Sequence, residues 1–399
     1  MDKVSKLTPL SSLIAAPFIG VEFGGAQFGL TPNYNRSTMT RDILYATDLT
    51  VTKKASGQVN TYKLNMNYVV EPGADPNYID YIISNAQDRK IFFTYGDASQ
   101  PEYSYVKEQA IISTINPNIS VATNSIAYTI SATSSVSLSY SIARNYPATT
   151  DYPSNVILKL LYSDKDNGLL DLFGGMRNRE KVELNGWIPT GDKKVFIEKE
   201  TDISPLDYVR KLVSKMMAAD NSFYAMIIHD EPDNVDGPYF EIVNSELHQG
   251  KGNRYSVDID IGYPSDVPIY SFTPTVNTSL ALITPFQKKF DTNRIININV
   301  AGEMQETNTP SLAIKNGAPV PALQQWWNNM TSYPITAKLV TRGLIKPSIL
   351  CDYLRVNVLF FGQPYTLSGY YMVVGQVDTV SRSGYRTELS LIRVKGLES

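Results

Sequence analysis

The feature that most constrains the fold is a run of alternating apolar and polar residues near position 65. The apolar members of this run are Tyr62, Leu64, Met66, Tyr68 and Val70, and Lys63, Asn65 and Asn67 lie between them. A period of two indicates a β-strand with one buried face and one solvated face. Leu49 and Val51 come before it, separated by the small residues 55–57, so the two segments together predict a β-hairpin.

The same alternation predicts two further strand pairs. Residues 126–130 and 136–142 form one pair around a turn at 132–135, and residues 370–380 and 385–394 form the other around a turn at 382–384. Such alternation is typical of antiparallel sheets, whereas the strands of doubly wound folds are continuously apolar. The chain is therefore predicted to be mainly β.

Four short amphipathic helices are predicted beside these strands. They begin near Asp75, Ser154, Ser204 and Pro321, and each repeats apolar residues at helical spacing. The clearest start is Ser204, because Pro205 follows at the first helical position and Asp207 completes a capping box. Each helix has one apolar side to bury against a sheet or a partner.

The length of 399 residues suggests two or three domains. Proline-rich and polar stretches divide the chain into a β domain over residues 1–150, a mixed α/β domain over 151–270 and a second β domain over 271–399. The apolar segment at 10–19 is interpreted as a buried first strand rather than a signal peptide, since serines and Pro17 interrupt it.

The charge balance argues against nucleic-acid binding as the main role. Lys and Arg number 36 against 39 Asp and Glu, which gives a net charge of −3. No surplus of positive charge is available to attract phosphates. No apolar run approaches the roughly 18 residues of a membrane span, and the single cysteine, Cys351, excludes an intrachain disulfide.

The residue types that carry catalysis or bind metals are scarce. His229 and His248 are the only histidines, neither has a second ligand at metal spacing, and His229 is interpreted as a strand-end residue. The acidic group Asp230, Glu231, Asp233 and Asp236 does not fit a calcium loop and is interpreted as a solvated hairpin tip. We therefore predict no catalytic residue, no metal and no cofactor.

Protein–protein contact is the function that these features favour. The adjacent Trp326 and Trp327 lie on a predicted amphipathic helix and are the candidate interface residues. Two alternatives stay open. The 26 tyrosines could stack on glycans, although most fall at inward strand positions, and paired carboxylates could hydrolyse glycosidic bonds.

Three segments resemble the central baseplate hub of phage tails, a family that includes the hub of type VI secretion spikes. Residues 16–25 resemble the first strand of its tail-tube-like barrel. Residues 57–96 resemble the barrel's strand–helix–strand unit, and residues 333–394 resemble the closing barrel.

This resemblance implies a structural virion protein without enzymatic activity. It implies two tail-tube-like barrels per chain and a homotrimeric ring that joins the sixfold tail tube to the threefold spike. The expected partners are tube or distal tail proteins and a spike or tail-tip protein, with DNA passing through the ring without specific binding. The protein would be assembled in the host cytoplasm and reside in the tail baseplate of the virion.

Overall fold

A computed structural model describes the chain in separate ranges. The described residues are 5–6, 16–24, 26–30, 44–69, 90–97, 105–134, 143–162, 194–216, 224–231, 239–244, 254–261, 269–276, 295–298, 304–307, 335–344 and 348–396. The predicted helices near Asp75 and Pro321 lie outside these ranges, as do Trp326 and Trp327.

Strands dominate the described residues. In the first half they are β1 (Ser5–Lys6), β2 (Pro17–Phe23), β3 (Ala26–Gly29), β4 (Leu44–Lys54), β5 (Thr61–Val69), β6 (Lys90–Asp97), β7 (Tyr105–Ser120), β8 (Ser125–Ser134), β9 (Arg144–Tyr146), β10 (Thr149–Asp151), β11 (Val195–Ile197) and β12 (Glu200–Ile203). In the second half they are β13 (Tyr224–His229), β14 (Tyr239–Asn244), β15 (Arg254–Ile261), β16 (Ile269–Val276), β17 (Ile295–Ile298), β18 (Met304–Thr307), β19 (Ile335–Arg342), β20 (Tyr353–Phe360), β21 (Gln363–Pro364), β22 (Gly369–Ser381) and β23 (Gly384–Gly396).

Two helices occur within the described ranges, α1 (Pro153–Tyr162) and α2 (Pro205–Lys215). Helix α2 begins as its sequence predicts, because the Ser204 hydroxyl accepts the backbone N–H of Asp207 at 3.1 Å. Its apolar side is buried, as at Val209 and Leu212. The mainly β fold class with short helices is thus confirmed.

Most strands belong to one large sheet. Its longest path runs β1-β15-β20-β22-β4-β5-β8-β7-β6-β2-β3, and β23, β19 and β16 continue from the other edge of β22. The pairs are antiparallel except β1–β15 and β15–β20, which are parallel. The predicted hairpin of β4 and β5 is present, and so is the C-terminal hairpin of β22 and β23.

One predicted turn is wrong. Residues 132–134 continue strand β8, which pairs with β5 on one side and β7 on the other. Ala132 and Ser134 are buried on the inward face of β8. Small residues favour a turn, but here they fill narrow positions in the core, and the predicted partner strand at 136–142 lies outside the described residues.

Three buried clusters hold the structure together. The first lies inside β2 to β8 and includes Leu49, Tyr62 and Phe93. The second lies among β15, β19, β20, β22 and β23, and the third joins α1 and α2 to strands β11, β13 and β14. Strand β15 belongs to the second cluster although its residues fall in the range 151–270. The three-domain division stays a prediction.

The hairpin of β22 and β23 belongs to two of these clusters. Its Val373 and Leu391 pack in the second cluster, whereas Val380 and Tyr385 pack in the first. Strand β22 pairs with β4 over residues 375–381, and β2 returns to contact both β4 and β22. The C-terminal hairpin therefore completes the enclosure of the N-terminal core.

Candidate functional site

The acidic residue Asp230 connects the helical cluster to the N-terminal core. It follows β13 directly, and its side chain is buried. Its Oδ2 atom accepts hydrogen bonds from Asn60 Nδ2 at 2.9 Å, the Tyr62 hydroxyl at 2.8 Å and the Ser134 hydroxyl at 2.6 Å. Three donors for one carboxylate oxygen compensate much of the cost of its burial.

The predicted solvated tip at this position is therefore wrong for Asp230. The local acidic composition predicts an exposed side chain, because the residues that bury Asp230 lie far away in sequence. Asp233 and Asp236 lie outside the described residues.

Backbone hydrogen bonds reinforce the same contact. The N–H of Gln109 donates to the carbonyl of Asp230 at 2.8 Å, and the N–H of Gly57 donates to the carbonyl of Met226 at 2.8 Å. Gly57 has a φ of +69°, and a Cβ there would lie 2.8 Å from Sδ of Met226. Glycine is thus required where the chain passes β13.

A second buried carboxylate, Glu108, lies deeper in the first cluster. It contacts the ammonium of Lys53, and its Oε2 atom accepts the Tyr95 hydroxyl at 3.1 Å. Burial raises the pKa of Glu108 to about 7, although the Lys53 ammonium lowers it. The pair joins β4 to β7 across the interior.

A third buried carboxylate, Asp378, links the two strands of the C-terminal hairpin to each other. It accepts hydrogen bonds from the Thr387 hydroxyl at 2.6 Å, the Tyr385 hydroxyl at 3.1 Å and Gln376 Nε2 at 2.7 Å. The ring of Tyr385 then meets Tyr95 edge to face, with centroids 6.1 Å apart. We call Lys53, Glu108, Asp230, Asp378 and their hydrogen-bond partners the buried joint.

The buried joint has a structural role, because its acids connect strands in the interior of the protein. Glu108, Asp230 and Asp378 are each no more than 1% exposed, and each carboxylate accepts hydrogen bonds from side chains of the protein itself. A carboxylate pair that cleaves a glycosidic bond must face a cleft. These three acids instead hold strands from all three buried clusters in fixed positions.

His229 ends β13, as the sequence predicts. Its Nε2 lies 3.1 Å from Oε2 of Glu241. Burial lowers the pKa of His229, but hydrogen bonds with Glu231 and Glu241 outweigh this, so the pKa lies above its usual value. Within the described ranges, no group of three or more His, Cys, Asp or Glu is placed to hold a metal.

Large apolar side chains are exposed at two ends of the sheet. At the end of the β7–β8 hairpin, Ile119 is 71% exposed and Val121 is 87% exposed. Between β20 and β22, Phe361 is 68% exposed with Phe360 and Tyr365 beside it, and we call residues 360–365 the aromatic turn. Exposed apolar side chains that lie side by side, as in the aromatic turn, are candidates for sites of association.

Sequence reasoning missed both surfaces. The apolar face of β7 extends past the end of its partner β6, which alternation alone does not reveal. Strand β20 alternates through Phe360, which looks like a core position. Tyr62, Tyr68 and Tyr128 are buried, as their inward positions predict.

No helix in the described part of the chain combines the length and the apolarity that crossing a bilayer requires.

Comparison with known proteins identifies the fold. No protein-family model and no curated protein sequence matches the chain. Among solved structures, the chain is similar to the E. coli c3393 protein with a TM-score of 0.50 and 8% identity, and the alignment covers 95% of this chain and 79% of that one. The c3393 protein is a type VI secretion component described as structurally similar to the T4 tail proteins gp27 and gp5.

A second solved structure agrees along almost the full length of both chains. The 43 kDa tail protein of prophage MuSo2 from Shewanella oneidensis has a TM-score of 0.50 and 9% identity, with 95% of this chain and 98% of that chain covered. A chain of the Francisella PdpA–VgrG complex in its lidded form has the same TM-score with 11% identity. That alignment covers 96% of this chain and 53% of the other. The expected resemblance is thus confirmed in three dimensions, and the chain has the fold shared by phage tail hub proteins and type VI secretion spike proteins.

Proposed function

We propose that this chain is a structural component of a phage-type tail, namely a baseplate hub without enzymatic activity. The observation that carries this proposal is the agreement in fold with the MuSo2 tail protein over 95% of this chain and 98% of that one. An agreement confined to one β unit would not support it, because such units occur in proteins of many functions.

The proposed assembly is a homotrimeric ring. One chain encloses two β cores that share the hairpin of β22 and β23, so three chains would present six such cores. A ring of this kind could match a sixfold tube on one face and a threefold spike on the other. A repeated head-to-tail contact gives a closed ring when the rotation between subunits closes after three copies.

The proposed partners are tail-tube or distal tail proteins on one side and a spike or tail-tip protein on the other. DNA would pass through the ring during ejection. The net charge of −3 agrees with a conduit that does not retain DNA. Assembly in the host cytoplasm and residence in the virion tail belong to the same proposal.

Native mass spectrometry combined with negative-stain electron microscopy tests the assembly. The expected result is a species of three chains that forms a ring with a central opening. A protein that stays monomeric at high concentration, without partner proteins present, would contradict the trimer.

A further inference from the structure

The aromatic turn adopts a backbone conformation that its sequence does not favour. Phe361 has a φ of 49° and Gly362 has a φ of 80°, and Phe360 pairs with Gln363 across them. These are the angles of a type I′ turn, whose first position favours Asn, Asp or Gly. A bulky ring in the left-handed region is strained, and such strain tends to occur at functional sites.

The surrounding structure holds the turn in one geometry. The N–H of Tyr365 donates to the carbonyl of Val358 at 2.8 Å, and the hydroxyl of Ser368 bonds to both the N–H and the carbonyl of Val358. The rings of Phe360 and Tyr365 pack edge to face with centroids 5.1 Å apart. A surface that is rigid before binding loses little conformational entropy on binding.

The turn combines exposed aromatic rings with two nearby carboxylates. Phe361 is 68% exposed, Phe360 41% and Tyr365 39%. Residues 356–377 contain no Lys, Arg, Asp or Glu. The nearby carboxylates belong to β15, where Asp260 accepts the N–H of Gly362 at 3.4 Å and Asp258 accepts Asn357 Nδ2 at 3.3 Å.

We propose that the aromatic turn is a docking element whose Phe361 inserts into an apolar pocket on another protein of the tail. The pocket has Lys or Arg side chains at its rim, which face Asp258 and Asp260. Aromatic residues in preformed contacts supply most of the binding energy of many interfaces, and complementary charges at the rim fix orientation.

Two other occupants fit the geometry less well. A sugar ring stacks on a flat aromatic platform, but the rings of Phe360 and Tyr365 are inclined at 67°. Insertion into an anionic bilayer would bring Asp258 and Asp260 close to negative headgroups, and like charges repel.

Site-specific photocrosslinking in assembled tails tests whether the aromatic turn is a docking element. The use of tails rests on the proposed function. The photoreactive residue p-benzoylphenylalanine replaces Phe361 in the full chain, and the matched control carries it at Phe196, another exposed aromatic at 52% exposure. The expected product, specific to position 361, joins an apolar segment of a different tail protein with basic residues beside it.

Affinity for that crosslinked protein, once purified, gives the second measurement. Phe361→Asn should weaken binding by about tenfold or more, while its Tm stays equal or rises because Asn-Gly suits the turn. Phe196→Asn should leave the affinity unchanged. Asp258→Asn combined with Asp260→Asn should reduce the dependence of binding on salt.

Several results would overturn the docking element. These are an unchanged affinity in Phe361→Asn, crosslinks only to second copies of this chain, or Phe361-dependent binding to a glycan array or to phosphatidylcholine–phosphatidylglycerol vesicles. A chain that is present in tails but gives no crosslink specific to position 361 overturns the docking element alone. Absence of the chain from purified tails overturns the proposed function and the docking element together.

Discussion

At the scale of single residues, the buried joint concentrates negative charge in the interior. Burial raises the pKa of Glu108, Asp230 and Asp378, and the ammonium of Lys53 offsets this only in part. Each carboxyl group therefore binds its proton more tightly in the folded state than in the unfolded state. The stability of the protein must then depend on pH.

The sign of this dependence follows from Glu108, whose folded pKa is about 7. A raised folded pKa stabilises the protein fully below the unfolded value, which is about 4.3, and this contribution is lost as the pH rises through 7. We expect the free energy of unfolding to fall between pH 5 and 7.5 in urea titrations, and the fall to be smaller in Glu108→Gln. Equal slopes in the two proteins would contradict this prediction.

Removal of the Asp230 carboxylate should separate the helical cluster from the N-terminal core. Asp230→Ala leaves the donors of Asn60, Tyr62 and Ser134 without their acceptor, and we expect a loss of about 2–4 kcal/mol in the free energy of unfolding. Urea denaturation followed by tyrosine fluorescence measures it. Asp258→Ala, at an exposed carboxylate, is the matched control and should change stability by less than about 0.5 kcal/mol.

At the scale of elements, strand β13 lies between the second and third buried clusters. Its Ala225 and Ile227 point into the second cluster, whereas Met226 and Ile228 point into the third. Such a strand is apolar on both faces. It can approach residues 55–60 closely only because Gly57 has no side chain there.

A comparison of alanine substitutions at two glycines separates the steric cost of a side chain near β13 from the cost of a positive φ. Gly57 and Gly362 both have positive φ, at +69° and +80°, but a Cβ at Gly362 meets nothing within 4 Å. Gly362→Ala should cost about 1–2 kcal/mol from conformation alone. Gly57→Ala should cost about 1–3 kcal/mol more, because Met226 must move. Equal Tm shifts of the two variants in calorimetry would contradict this prediction, because they would mean that β13 moves to accept the added methyl group at no cost in stability.

The elements that the sequence predicts correctly are those specified by neighbouring residues. The capping of α2 involves Ser204 and Asp207, three positions apart, and the alternation of β5 lies within nine residues. The joint at Asp230 was not predictable, because Asn60 and Tyr62 lie 170 and 168 positions away. Local composition cannot indicate which distant donors will surround a carboxylate.

At the scale of the whole molecule, the two β cores are not independent. Strand β22 pairs with β20 over residues 369–372 and with β4 over residues 375–381, so one strand serves both cores. Tyr385 is buried in the first cluster although it comes from the last hairpin of the chain. The positions of the two cores are therefore coupled through one strand.

A fragment of residues 1–150 should therefore fail to fold cooperatively. Without β22 the edge of β4 is unpaired, and Val380 and Tyr385 no longer cover the core. We expect a broad urea transition in circular dichroism and binding of a hydrophobic dye, in contrast to the full chain. A sharp transition in the fragment would mean that β2 to β8 suffice.

The shared hairpin also has a consequence for biosynthesis. The strands that close the first core, residues 369–396, are synthesised long after strands β2 to β8. A nascent chain on the ribosome carries that core in an open form until those residues emerge, since domains otherwise fold in order from the N-terminus. Completion of this core should therefore be delayed until residues 369–396 are made, and production of the protein should depend strongly on chaperones that shield an unfinished sheet.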